Sequence, residues 1–156
     1  MSSATDDLAV RAEQIDRVSN ELLPHVALLT RLLARQMSAA LTRSEAGLLN
    51  TLSSGPRRIT DLAELEGLAQ PTTTLLVKRL EERGLVTRER PANDGRVVLV
   101  QLSQAGRAAL DAFRAQASAI LRGHLAEMSD EQIAALDATT EMLAALVAAL
   151  QRAGAA

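Results

Sequence analysis

Residues 59–84 read Ile59-Thr60-Asp61-Leu62-Ala63-Glu64-Leu65-Glu66-Gly67-Leu68-Ala69-Gln70-Pro71-Thr72-Thr73-Thr74-Leu75-Leu76-Val77-Lys78-Arg79-Leu80-Glu81-Glu82-Arg83-Gly84. The fold turns on this stretch. Leu62, Ala63 and Leu65 give a short helix an inward face, with Thr60 placed to cap it and Gly67 to close it. Gly67-Leu68-Ala69-Gln70 then supplies the tight turn that lets two helices cross steeply. The second helix opens with Pro71 in its first turn, where a missing N–H costs nothing, and stops at Gly84. Its apolar side is Thr73, Leu76, Val77 and Leu80. Gln70, Thr72, Thr74 and Lys78 are its polar side, with hydrogen-bonding groups suited to base edges and phosphates. They gather towards the N-terminal half, the part of a recognition helix that enters a major groove deepest. The free N–H groups of that terminus also suit phosphate. A helical hairpin with a solvated polar face would show the same pattern.

Downstream, Leu85–Arg90 and Val97–Leu102 read as strands, joined by Pro91-Ala92-Asn93-Asp94-Gly95-Arg96. Those turn residues predict a hairpin, and the hairpin after two short helices predicts a wing. Asp94 is placed to hold the Arg96 guanidinium in a bidentate fork, aiming it at a narrow, electronegative minor groove. An ordinary solvated turn is the other reading. Upstream, Thr42-Arg43-Ser44-Glu45 fits a capping box that opens a helix through Leu48, Leu49 and Leu52. Ser53-Ser54-Gly55-Pro56 ends it. Arg57-Arg58, read as a loop pair, either touches a DNA backbone or is solvated.

The ends of the chain are helical. Over residues 8–37, Ile15, Val18, Leu22, Val26, Leu29 and Leu33 recur every three or four positions, an amphipathic stripe. Pro24 predicts a kink there, or a helix that restarts. Ser103 opens a long Ala/Leu-rich helix, and the capping box Ser129-Asp130-Glu131-Gln132 opens another. In that last helix Ile133, Leu136, Thr140, Leu143, Val147 and Leu150 form a second stripe. The expected fold is mainly α with a small β-hairpin. It is a winged helix-turn-helix over residues 42–102, between helical dimerisation regions at 1–41 and 103–156. The two stripes exceed what a small winged lobe covers, which favours a homodimer over packing within one chain.

Composition closes off other classes. The 156 residues hold no Cys, Trp or Tyr, one Phe and two His. Disulfides, iron–sulfur clusters, thiol catalysis and most zinc ribbons are excluded, and ring-based stacking platforms are disfavoured. No cofactor or metal is expected. Uninterrupted apolar runs are short and no signal peptide is visible, so a cytoplasmic protein without membrane contact is expected. Net charge is −2, yet residues 71–96 carry 6 basic and 4 acidic groups. Charge placement matters more than the total for nucleic-acid binding. No Ser–His–Asp context, Gly-rich phosphate loop or paired metal ligands occur, and an enzyme is rejected.

Three segments taken together resemble a known family: Leu80-Glu81-Glu82-Arg83-Gly84-Leu85-Val86-Thr87-Arg88, Asp94-Gly95-Arg96, and Leu102-Ser103-Gln104-Ala105-Gly106-Arg107. Their order and spacing are similar to the signature of the multiple antibiotic resistance regulator (MarR) family. The likeness extends more loosely over about residues 20–150. It implies a winged-helix homodimer that represses or activates transcription by binding double-stranded DNA. Such dimers are often released by a small hydrophobic or phenolic effector. Carried over by position, Gln70, Thr72, Thr74 and Lys78 serve the recognition helix, Asp94 and Arg96 the wing, and Thr60 a phosphate. Two departures stand out. Leu75 sits where such helices often carry a polar or basic residue, and the run of three Thr shifts readout towards thymine methyl groups. His25, beside Pro24, is a candidate effector ligand or an ordinary packed or surface residue. With few aromatics, an effector pocket would be lined mainly by Leu, Ala, Val and Met. The expected function is a ligand-responsive regulator, most often a repressor, on a pseudo-palindromic operator. The alternative is a winged-helix protein-interaction scaffold that no longer reads DNA.

Overall fold

A computed structural model describes residues 2–38, 40–89 and 98–153. Among these residues the order is α1 (Ser2–Gln36), α2 (Arg43–Leu52), β1 (Arg57–Arg58), α3 (Ile59–Leu65), α4 (Gln70–Glu82), β2 (Val86–Glu89), β3 (Leu99–Leu102), α5 (Gln104–Leu125) and α6 (Asp130–Ala153). The chain divides into two compact units, residues 1–117 and 118–156.

In the first unit the helix starts obey capping chemistry. The Thr42 hydroxyl accepts from the Glu45 N–H, while the Glu45 carboxylate accepts from the Thr42 N–H at 2.7 Å. Ser103 caps α5 by accepting from the Gly106 N–H at 2.9 Å. Its own hydroxyl donates to the Gly84 carbonyl at 2.7 Å, and its N–H donates to the Leu85 carbonyl at 3.1 Å. A side chain on Gly106 would collide with that Leu85 carbonyl, so glycine is required where α5 meets the end of α4. Gly84 takes φ +70°, the left-handed turn that ends α4.

Helices α2, α3 and α4 close over a three-stranded antiparallel sheet of order β1-β3-β2. Leu48, Leu49, Leu62, Val77, Leu80 and Val100 are wholly buried, joined by Leu52, Val86 and Leu110. Thr73 is a fully buried polar member of this interior, and its hydroxyl is satisfied by donating to the Ala69 carbonyl at 3.3 Å. The two expected strands pair antiparallel, with Val86 opposite Leu102 and Glu89 opposite Leu99.

Three expectations are corrected. Arg57-Arg58 is no loop: it is strand β1, with Arg57 opposite Val100 and Arg58 opposite Leu99. Thr60 does not cap α3, which begins one residue earlier; the N-cap is Arg58, whose N–H donates to Asp61 at 3.4 Å. Finally, of the two readings of Pro24 the restart is overturned: α1 runs unbroken through it. An interior proline removes one helical hydrogen bond, and the remaining turns of a 35-residue helix hold on either side.

The second unit contains α6, opened as expected by Ser129 and Gln132. The Ser129 N–H donates to the Gln132 side chain at 3.0 Å, and the Gln132 N–H to the Ser129 hydroxyl at 3.3 Å. Among its described residues none is buried, and Ile133, Leu136, Met142, Leu146, Val147 and Leu150 are exposed. By length and composition alone α6 is apolar enough to cross a membrane, a property that counting uninterrupted apolar runs overlooks. Asp137 and Glu141 lie near its middle, and an Asp at that depth costs about 2.5–3.5 kcal/mol. Separate apolar stripes broken by carboxylates fit a protein interface better than lipid.

Candidate nucleic-acid interface

Helix α4 projects the polar residues singled out in the sequence, and the fold decides how they are arrayed. Thr73, Val77 and Leu80 are buried against the core. At roughly 100° per residue, Leu75 lies about 200° around the helix from Thr73, opposite the core. It is 50% exposed. Pro71 and Lys78 share this outward strip, with Thr74 to one side and Arg79 and Thr72 to the other. All five are exposed. Gln70 is also exposed, at the first position of the helix.

The polar groups differ in how free they are. The Thr74 hydroxyl donates to the Gln70 carbonyl at 2.9 Å, so its donor is spent within the helix while the side chain stays exposed. Lys78 lies 3.8 Å from Glu82 with both side chains exposed, a contact too weak to hold the ammonium away from phosphate. Thr60, in the first turn of α3, is exposed and donates to Asp61 at 3.1 Å. Arg79 was not singled out in the sequence, where it reads as one more charge among many. It makes no ion pair among the described residues.

Two ion pairs hold α4 in place. Arg88 of β2 lies 2.9 Å from Glu81 and ties the sheet to the helix. Arg83, at the helix end, donates to Glu45 at 2.9 Å and to the Ala40 carbonyl. Burial pushes the Glu45 carboxyl up. The Thr42 backbone and side chain, together with Arg83, outweigh that and hold it below the ordinary carboxylate range. The carboxylate is therefore charged at neutral pH, fastening the start of α2 to the end of α4. Beyond β2, Asp94 and Arg96 lie outside the described residues.

Within the same unit a cavity of about 200 Å³ opens beside this lobe. Leu33, Ala34, Met37, Arg43, Phe113 and Ala117 line it, together with Thr30, whose hydroxyl accepts from Arg43 at 2.6 Å. Leu33, Ala34, Met37 and Ala117 make its apolar wall with Phe113, the chain's one aromatic residue. His25 is not among the lining residues. It is exposed on α1, and its Nδ1 donates to the Glu21 carbonyl at 2.7 Å.

Comparison with known proteins fits this architecture. The model of the MarR family matches residues 41–98, the winged lobe. No curated protein matches the chain. Among solved structures, a probable transcriptional regulator from Pseudomonas aeruginosa is 30% identical, covering 81% of this chain and 98% of that one, with a TM-score of 0.57. A MarR family protein from Bacillus stearothermophilus is 24% identical over 88% of this chain and 97% of that one, with a TM-score of 0.71. A MepR variant from S. aureus, bound to an oligodeoxyribonucleotide, is 20% identical over 82% of this chain and 96% of its own, with a TM-score of 0.61. The last two speak to the fold.

Proposed function

The chain belongs to the MarR family of transcription regulators, and from that premise we propose that it is a homodimeric repressor. On this reading it binds a pseudo-palindromic operator in double-stranded DNA and responds to a small hydrophobic or phenolic effector. The observation that carries the DNA reading is the exposed face of α4, with Gln70, Thr72, Thr74 and Lys78 presented by a helix whose other side is locked in the core. The similar MepR variant held on an oligodeoxyribonucleotide supports it. Thr60 and the start of α4 take phosphates, and Arg96, held by Asp94, enters the minor groove.

The homodimer rests on the exposed leucines, isoleucines and valines of α1 and α6. Two-fold symmetry then sets two α4 helices about one DNA turn apart, roughly 34 Å. The effector reading rests on the cavity lined by Leu33, Met37, Arg43 and Phe113. A ligand there shifts the population towards a dimer with different helix spacing, in proportion to its preference for that state.

Fluorescence anisotropy with the DNA upstream of the protein's own gene, against a scrambled duplex over a salt series, tests the core of this proposal. Tighter binding to the upstream fragment, falling steeply with salt, is expected. If that fragment binds no better, selection from a random-sequence pool decides: failure to enrich any site favours the scaffold alternative. Titrating phenols and apolar drugs into the complex tests the effector.

A further inference from the structure

Leu75 is an anomaly on a surface built to meet a polyanion. It stands opposite the buried side of α4, at the centre of the outward strip, the part that a groove floor would meet first. Lys78 and Arg79 flank it on either side of the helix, both exposed. An apolar centre between two cations complements the cross-section of a major groove, in which base edges lie between two phosphate strands. The polar group beside it is partly disarmed, because the Thr74 hydroxyl proton is directed to the Gln70 carbonyl. What Thr74 and Leu75 jointly offer a base edge is therefore methyl surface, extended by the ring of Pro71.

We propose that Leu75, supported by the Thr74 methyl, is a specificity-determining residue that recognises thymine through its C5-methyl group. The inference rests on the DNA-binding reading above and deepens it. In the major groove only thymine among the four bases presents a methyl group, so an apolar side chain there discriminates without any hydrogen bond. Each half-site must then carry at least one thymine under Leu75. Lys78 and Arg79 contribute affinity without choosing that base, since phosphate contacts position the protein and base contacts specify the sequence.

Replacing thymine by deoxyuridine removes the methyl group and leaves the Watson–Crick pairing unchanged. The test starts from the best duplex selected by the full-length protein from a random-sequence pool. Each thymine is then replaced in turn. The expected result is a loss of about three- to five-fold at one or two positions per half-site, the effect of one methyl group no longer buried. Leu75→Ala should weaken binding to the parent duplex by a similar or larger factor and abolish the deoxyuridine effect at those positions. Leu75 is exposed, so this variant keeps its core, which circular dichroism verifies.

Deoxyuridine tolerated everywhere, on a duplex that still binds tightly and with salt dependence, overturns methyl readout and leaves the DNA-binding reading standing. A deoxyuridine effect that survives Leu75→Ala assigns the methyl to another side chain and overturns the role of Leu75. A pool that yields no preferred duplex overturns both readings.

Discussion

The winged lobe and the terminal helices are built from much the same residues, yet they end in opposite surroundings. In the lobe Leu48, Leu49, Leu62 and Leu80 are completely buried, whereas Leu29 of α1 and Leu136, Leu146 and Leu150 of α6 remain exposed. Short helices around a three-stranded sheet give most of the lobe's leucines partners within the chain, Leu65 and Leu75 being the exposed exceptions. A long amphipathic helix has an apolar stripe that its own turns cannot cover. The lobe buries its leucines within its own fold, and on the proposed reading the terminal helices await a second copy. Apolar content alone does not separate the two cases; the length over which a stripe persists does.

The strongest way to break this contrast is to charge the exposed stripe. Leu136→Asp combined with Leu29→Asp should yield monomers by analytical ultracentrifugation. Operator affinity should fall by about 10²-fold or more as the second site's effective concentration is lost. A dimer that persists at micromolar concentration would place the interface elsewhere. Next in size, Leu62→Ala should destabilise the lobe by about 2–5 kcal/mol in urea melts. Leu136→Ala should leave the melt of the lobe unchanged and shift only the dilution dependence.

Smaller effects sharpen the picture at the DNA surface. Arg96→Ala should cost about 1–3 kcal/mol of binding if the wing enters the minor groove, and unchanged anisotropy would remove the wing from the interface. The Glu45 carboxyl sits lower in the folded protein than in the unfolded chain. Its stabilisation is thus present above the ordinary carboxylate range and lost as pH falls through the lowered value. Glu45→Gln should reduce lobe stability by about 0.5–2 kcal/mol at neutral pH, as for a lost cap, and flatten the acid limb of the stability–pH curve. A variant with the same acid limb would show that other carboxylates set it.

Local chemistry made much of the fold legible. Thr42 with Glu45, Ser103, and Ser129 with Gln132 announce helix starts through side chains that accept nearby N–H groups. Gly84 announces an end through its backbone angle. What depends on distant partners was less legible. β1 is a strand only because Leu99 and Val100 run alongside it, and two consecutive arginines carry no periodicity to reveal this. Pro24 looks like a break until the whole length of α1 is counted. At the proposed DNA surface, residue types singled out Gln70, Thr72, Thr74 and Lys78, but only the burial of Thr73 and Val77 puts Leu75 at the centre of the outward face. Phe113 joined the cavity through a meeting of α5 with α1 that no local pattern encodes.

The junction of Gly84, Leu85, Ser103 and Gly106 has a mechanical consequence. Ser103 bonds to two successive carbonyls, and the bare Gly106 lets the backbones approach as closely as they do. Little slack remains at this pivot. A tilt imposed at the start of α5 should therefore carry the end of α4 with it, like a crank pinned to its shaft. A bulkier residue at Gly106 would loosen that transmission even if every group facing the DNA stayed in place.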